Sequence, residues 1–313
     1  FNKEAVREIF SQLMTISRRY QYGLLRKNGK VSPIDFKLVK EIKRDGVRVV
    51  FQGVEGAYSH AATKLYFGEA ADTYHVEQFE DTMKELEKGR ADYAVLPIEN
   101  STAGFVISNY DLLSKYQVCI VGEVYVPIEH MLVGLPQAEL SDIKTVYSHN
   151  QALMQCSEYL SSHREWRQIS AANTAAAAKK VMEDGDKTKA AIASREAGRL
   201  YGLKELAAAI NDKKGNTTRF IILSHHAVYA EKAGKVTITF ELPHVSGSLY
   251  NVLGNFMFNG LNMMMIESRP IPERPFEYRF FVDFEGNLSE EAVQNALTGI
   301  RAEASSMRIL GNY

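Results

Sequence analysis

The chain reads as an α/β protein followed by a ferredoxin-like domain, with a separate helix at its N-terminus. Three observations carry this. Between residues 47 and 224, short apolar runs alternate with helix-period segments, the pattern of an α/β fold with largely parallel sheets. From residue 235 the order becomes strand, helix, strand, strand, helix, strand, the split βαβ plan. Ahead of both, apolar residues recur at three- and four-residue spacing, as on one face of a helix.

That first helix covers about residues 3–25. Val6, Ile9, Phe10, Leu13, Ile16, Tyr20 and Leu24 form its stripe. A helix this short is marginal alone and needs a surface to dock on. Ser17 falls inside the stripe and Gln21 at its edge, one turn apart. A polar pair on a face meant for burial needs partners; alternatively Ser17 bonds back to its own helix and Gln21 sits at the solvent margin. Residues 28–46, charged and holding Gly29 and Pro33, read as a linker. Strands are expected at 47–51, 93–96, 118–121, 145–147, 190–193 and 220–223, with helices at 59–67, 81–88, 151–161, 174–183 and 195–201. A connection at 225–234 leads to strands at 235–242, 263–267, 278–284 and 307–310 and helices at 247–258 and 289–302. Domains are therefore expected at 1–28, 29–46 (linker), 47–224 and 235–313.

Composition limits the partners. The 313 residues carry 37 Lys and Arg against 38 Asp and Glu, a net charge of −1, which points to no nucleic acid. No run is long enough for a membrane span, and the charged amphipathic start is unlike a signal peptide. Cys119 and Cys156 are far apart with no CxxC pattern, as expected of thiols in a reduced, cytoplasmic protein. The chain starts at Phe1 rather than Met, so we expect it to be cut from a longer polypeptide.

Candidate chemistry gathers where strands meet helices, the place where ligands bind in such folds. Asn216-Thr217-Thr218-Arg219-Phe220 leads into an apolar strand. Neighbours on a strand point to opposite faces, yet at a strand entrance both could reach one crevice. Arg219 would clamp a carboxylate and Thr218 would offer a proton or hydrogen bond. By itself the pair reads better as a strand-end Thr beside a surface Arg. Four junctions add small polar groups: Gly53 to Ser59, with Ser59 as a helix cap; Glu99-Asn100-Ser101-Thr102; Tyr147-Ser148-His149, with Gln155 and Cys156 in the next helix; and Asn173-Thr174. Each alone suits an N-cap. Together they suit a small polycarboxylate. Eight histidines show no metal spacing, and neither a phosphate loop nor a GxSxG elbow is present, so neither metal nor cofactor is expected.

Taken together, Ala57-Tyr58-Ser59, Pro97-Ile98-Glu99-Asn100, Tyr147-Ser148-His149, Gln155-Cys156 and Asn216 to Phe220 resemble prephenate dehydratase across residues 47–224. The resemblance implies a two-lobed, periplasmic-binding-protein-like catalytic domain, lobe 1 at about 47–123 plus 213–224 and lobe 2 at about 127–210. The last domain resembles an ACT regulatory domain, through Glu267-Ser268-Arg269-Pro270 and Gly247-Ser248-Leu249-Tyr250, where Ser248 departs from the usual alanine. The first helix resembles the last helix of an AroQ-type chorismate mutase, in which Ser17 and Gln21 match the active-site pair. That order of domains is the bifunctional P-protein plan.

What the resemblance implies is decarboxylative dehydration of prephenate to phenylpyruvate, with Thr218, Glu99 and Arg219 catalytic and Asn100, Ser148, Gln155, Ser59 and Thr174 binding substrate. Thr218 would hydrogen-bond the leaving oxygen, with Glu99 the competing acid. It also implies inhibition by L-phenylalanine bound at Gly247–Tyr250 and Glu267–Pro270 of a dimer or tetramer, and no mutase activity in one helix alone. The rivals are an arogenate dehydratase and a non-catalytic amino-acid sensor.

Overall fold

The computed structural model describes residues 34–272 and 274–313 throughout and, of the first 33, residues 2–7, 9, 10, 13, 14, 17, 21 and 24. Those helical residues between 3 and 24 keep the expected helix, but of the described stripe residues Ile9, Phe10, Leu13 and Leu24 are exposed rather than covered. Ile16, Tyr20, Gly29 and Pro33 lie outside the described residues. The linker is not featureless: it contains strand β1 (Lys37–Val39). No helix among the described residues is long and apolar enough to cross a membrane.

Residues 43–117 and 122–225 form one compact unit. Its first lobe holds β2 (Arg48–Gln52), α1 (Tyr58–Phe67), β3 (Asp72–Val76), α2 (Phe79–Glu87), β4 (Tyr93–Asn100), β5 (Gly104–Phe105), α3 (Ile107–Lys115) and, from residue 122 on, β6 (Cys119–Pro127). The chain then crosses to a second lobe, of β7 (Met131–Gly134), β8 (Thr145–Ser148), α4 (Asn150–Gln155), α5 (Ser157–Ser161), β9 (Arg167–Ser170), α6 (Thr174–Asp184), β10 (Lys189–Ala193), α7 (Arg195–Leu200) and β11 (Lys204–Ala207). It returns through β12 (Thr217–Ser224). The fold is the two-lobed, periplasmic-binding-protein-like one.

Both sheets are mixed, correcting the expectation of largely parallel ones. In the first, of order β6-β12-β4-β2-β3, β2 is parallel to β3 and β4, while β12 is antiparallel to β4. In the second, of order β11-β7-β10-β8-β9, β7 is antiparallel to both β10 and β11. The reversed strands are those adjoining the crossovers: a strand entering from the other lobe runs against its βαβ neighbours. The alanine run explains itself here. Ala175, Ala177 and Ala178 are fully buried, with Val146 and Ile192 of the sheet in the same core, because only small side chains allow so close a helix–sheet approach.

The other unit comprises residues 1–42, 118–121 and 226–313. Here β13 (Val228–Ala230) pairs in parallel with β1, so the connection at 225–234 is partly a strand. There follow β14 (Lys235–Glu241), α8 (Ser248–Phe258), β15 (Met263–Ile271), β16 (Arg274–Glu285), α9 (Glu291–Glu303) and β17 (Ser306–Asn312). They form an antiparallel sheet of order β15-β16-β14-β17. Val236, Ile238 and Phe240, at period two, pack with Val252, Phe256, Val293 and Ile300 of the helices.

The residues between them point to the opposite, polar face. There Thr237 Oγ1 donates to Asp283 (2.7 Å), and Glu241 accepts from Arg279 Nε (2.9 Å) and from Arg274. Burial alone would raise the Glu241 pKa, but the hydrogen bonds from Arg279 and Arg274 outweigh it and hold the carboxyl below its ordinary value. A depressed folded-state pKa stabilises above the unfolded value, and the contribution is lost as pH falls through the folded one. Thermal melts should therefore show wild type above Glu241→Gln at neutral pH, with the gap closing once pH falls below the ordinary carboxylate range.

Candidate active site

The site begins at the meeting of β4 and β12, where Thr218 lies opposite Asn100 and Arg219 opposite Glu99, with a bulge following. Directly opposed residues share a face and successive ones alternate. Thr218 and Asn100 therefore project to one side of the sheet, and Arg219 and Glu99 to the other.

On the first side the hydrogen-bond polarity is determined by the backbone. Asn100 Oδ1 accepts from the N–H groups of Thr102 (3.0 Å) and Ala103 (2.8 Å), which can only donate. The Asn100 Nδ2 group must then face Asn216 Oδ1 (2.7 Å) and Thr218 Oγ1 (2.9 Å), to which it donates. Thr218 is buried, its oxygen accepts from Asn100, and no partner among the described residues takes its proton. Asn216 is 4% exposed, and its Nδ2 has no hydrogen-bond partner among the described residues. A buried, unpaired amide donor costs about 1–3 kcal/mol and marks a place where a ligand acceptor would be welcome.

On the other side Arg219 does not open onto a crevice. Its side chain is 8% exposed; Nε donates to Glu123 Oε2 (2.7 Å), and Nη1 lies 3.8 Å from Glu99 Oε2. The expected carboxylate clamp thus holds two carboxylates of its own chain. The reason is strand alternation, which sends it away from Thr218.

The second lobe reaches the first through Gln155 at the end of α4. Gln155 Nε2 donates to Thr102 Oγ1 (2.9 Å), and its Oε1 lies 3.0 Å from His130 Nε2. Beside them is a cavity of about 230 Å³ lined by Thr102, Met154, Gln155, Asn211, Lys213 and Asn216, among others. Cys156, at the break between α4 and α5, is fully buried, and burial pushes its thiol up to about 12. It is a poor nucleophile there.

The remaining expected groups are placed less directly. Ser148 is fully buried and donates to Ile192 O (2.7 Å), so its hydroxyl supports the sheet. Ser59 does not cap α1; the cap position is Ala57 and Ser59 lies within the helix, buried. Asn173 does cap α6, its Oδ1 accepting from Ala176 N (2.8 Å), and Thr174 is the first residue of that helix. The glycine turn brings these lobes together. Glu55 O accepts from Tyr201 Oη (2.8 Å) and Gly56 O from Ser194 Oγ (3.3 Å). Gly56 has a φ of +83°, and an added Cβ would sit 3.1 Å from Ala197 Cα.

In the other unit, a cavity of about 370 Å³ is lined by Ser248 and Leu249 together with Leu242, Val245, Tyr278 and Phe280, among others. Gly247 sits at the α8 cap position with a φ of +82°, and Tyr250 is exposed. Glu267, Ser268, Arg269 and Pro270 lie along β15, the end strand of the sheet, and do not line this cavity. Ser17 and Gln21 are helical and exposed.

The family profile described as prephenate dehydratase matches residues 49–228, more than half of the chain. This chain belongs to the prephenate dehydratase family. Among its relatives is arogenate dehydratase/prephenate dehydratase 1 of Arabidopsis thaliana, 40% identical over 85% of this chain and 72% of that one. A bifunctional chorismate mutase/prephenate dehydratase of Enterobacter agglomerans is 33% identical over 98% and 78%. Of solved structures, the prephenate dehydratase of Arthrobacter aurescens in complex with L-Phe matches at 32% identity and a TM-score of 0.79, over 85% of this chain and 89% of that one. GqqA, a quorum-quenching acylase, matches at 31% and 0.78, over 85% and 97%. The scaffold alone therefore does not select a reaction; the residues must.

Three residues of the site carry little signal in the sequence. Asn216 belongs to the Thr-Arg motif, and a polar residue just before a buried strand is its only mark. Thr102 is simply the end of a junction. His130 carries no local signal, since nothing in the sequence links it to Gln155, twenty-five residues away.

Proposed function

We propose that the chain catalyses decarboxylative dehydration of prephenate to phenylpyruvate, carbon dioxide and water, and that L-phenylalanine inhibits it. The observation that carries this reading is the Thr218 hydroxyl, which accepts from Asn100 and so keeps its proton for a ligand.

The reaction needs little else. The C–C bond to the ring carboxylate breaks, its electron pair enters the ring, and the C–O bond to the ring hydroxyl breaks. The departing oxygen takes up one proton and leaves as water. Aromatisation supplies the drive, so the protein must orient a dianion and ease departure of an oxygen. Thr218 donates its hydrogen bond to that oxygen as negative charge develops. A threonine hydroxyl is too weak an acid to lose its proton outright, so the net proton comes from solvent. Asn216 Nδ2 and Lys213 in the cavity wall are suited to carboxylate oxygens. Gln155 orients the substrate from the second lobe. We give Arg219 a supporting role: with Glu123 and Glu99 it fixes the strand end that carries Thr218. The cavity beside Ser248 and Leu249 is the candidate phenylalanine site of an ACT-like domain in an oligomer. The L-Phe complex of the Arthrobacter relative supports phenylalanine as the effector.

One assay separates the alternatives. Purified chain should release phenylpyruvate from prephenate faster than phenylalanine from arogenate, and added phenylalanine should slow both. Faster turnover of arogenate would make it an arogenate dehydratase, and no turnover of either would leave the sensor reading. Chorismate should not be consumed, because a single helix cannot enclose it.

A further inference from the structure

We infer that His130 is a positioning residue for this reaction, which from the paired crossovers between the lobes orients the Gln155 amide and, through Thr102 and Asn100, the Thr218 hydroxyl. The inference rests on the dehydratase reading above.

His130 lies where the two crossovers run side by side. Its N–H donates to Asn211 Oδ1 (2.7 Å), its carbonyl accepts from Ile210 N (3.0 Å), and nearby Ile128 N donates to Asn216 O (2.8 Å). The imidazole is buried, 2% exposed, with Nε2 3.0 Å from Gln155 Oε1; Nδ1 lies 3.3 Å from Tyr58 Oη, whose proton goes to the Glu129 carbonyl (2.8 Å), so the Gln155 side alone fixes the tautomer.

The direction of each bond follows from the last. Asn100 Oδ1 is an acceptor, because two backbone N–H groups point at it. Thr102 Oγ1, 2.8 Å away, therefore donates its proton to that oxygen. Having given its proton there, Thr102 can only accept from Gln155, whose nitrogen must face it. Gln155 then presents Oε1 to His130, which must bring an N–H at Nε2. Desolvation by burial disfavours the charged ring and lowers the His130 pKa, against the opposing Gln155 hydrogen bond. The proton on Nε2 thus locks the amide against flipping. A flipped Gln155 would aim its carbonyl at the Thr102 oxygen and pull the Thr102 proton away from Asn100, which holds Thr218.

The test compares wild type, His130→Asn and His130→Gln in the full chain, measuring kcat and KM for prephenate alongside thermal melts. Asn is too short to reach Gln155, whereas Gln can place an N–H near the Nε2 position. His130→Asn should lower kcat by about 10–100-fold, the scale of a small misplacement, with KM little changed. His130→Gln should recover most of that loss at a similar melting temperature. Wild-type turnover in His130→Asn would overturn the inference, as would His130→Gln being equally slow with losses that follow the melting temperature. Nitrogen-15 NMR of the wild-type ring gives a second test independent of variant folding: the neutral Nε2–H tautomer is expected, and the Nδ1–H tautomer would overturn it. If wild type turns over neither prephenate nor arogenate, the dehydratase reading fails and this inference with it. An active wild type indifferent to His130 removes only the latter.

Discussion

Replacing Thr218 with alanine should lower turnover of prephenate by about 10²–10³-fold, the range for losing a hydrogen-bond donor to a developing oxyanion. The argument is one of hydrogen-bond polarity. Asn100 Nδ2 donates to the Thr218 oxygen (2.9 Å), which leaves the Thr218 proton without a partner among the described residues. Alanine removes the donor at the departing oxygen and leaves Asn100 one acceptor short. Its cost in stability should be modest, about 1 kcal/mol for one hydrogen bond. Two controls separate chemistry from folding. Thr218→Ser keeps the hydroxyl and should retain much of the rate, while Thr218→Val keeps the shape and should be as slow as alanine. Steady-state kinetics with thermal melts would check this; a valine variant with near-normal turnover would remove Thr218 from the mechanism.

The second large effect is on stability. Arg219→Met should destabilise the chain by about 3 kcal/mol, at the low end for breaking a buried ion pair. Glu123 is 19% and Glu99 38% exposed at the side chain, so water compensates in part for the lost guanidinium. The loss should be smaller in Arg219→Met/Glu123→Leu, because the carboxylate that paired at 2.7 Å is gone as well. Urea unfolding of the two single variants and the double gives the coupling. Additive losses would mean that the pair contributes nothing to the strand end.

Burial on both faces made some strands visible in the sequence, though β7 (Met-Leu-Val-Gly), buried throughout, is too short a run to stand out. β4 and β12 are near-continuous apolar runs because neighbouring strands and helices cover them. β9 (Arg-Gln-Ile-Ser) and β11 (Lys-Glu-Leu-Ala) have no such pattern. They are strands because a neighbour offers them a free edge, which is tertiary information. The same limit applies to the site. The Thr218–Arg219 pair was legible as a motif, but its two side chains part company through strand alternation, and only the β4–β12 register shows which one faces Asn100. Ser59 looked like a cap because serine commonly is one, whereas the turn places Ala57 at that position. His130 was invisible because its role depends on two crossovers that meet only in the folded chain.

The most direct test is a crystal structure of the full chain with a saturated analogue of prephenate, which cannot aromatise. The account predicts the analogue's ring hydroxyl within about 3 Å of Thr218 Oγ1, with a carboxylate on Asn216 Nδ2. An analogue bound elsewhere, with Thr218 still buried and out of its reach, would contradict it.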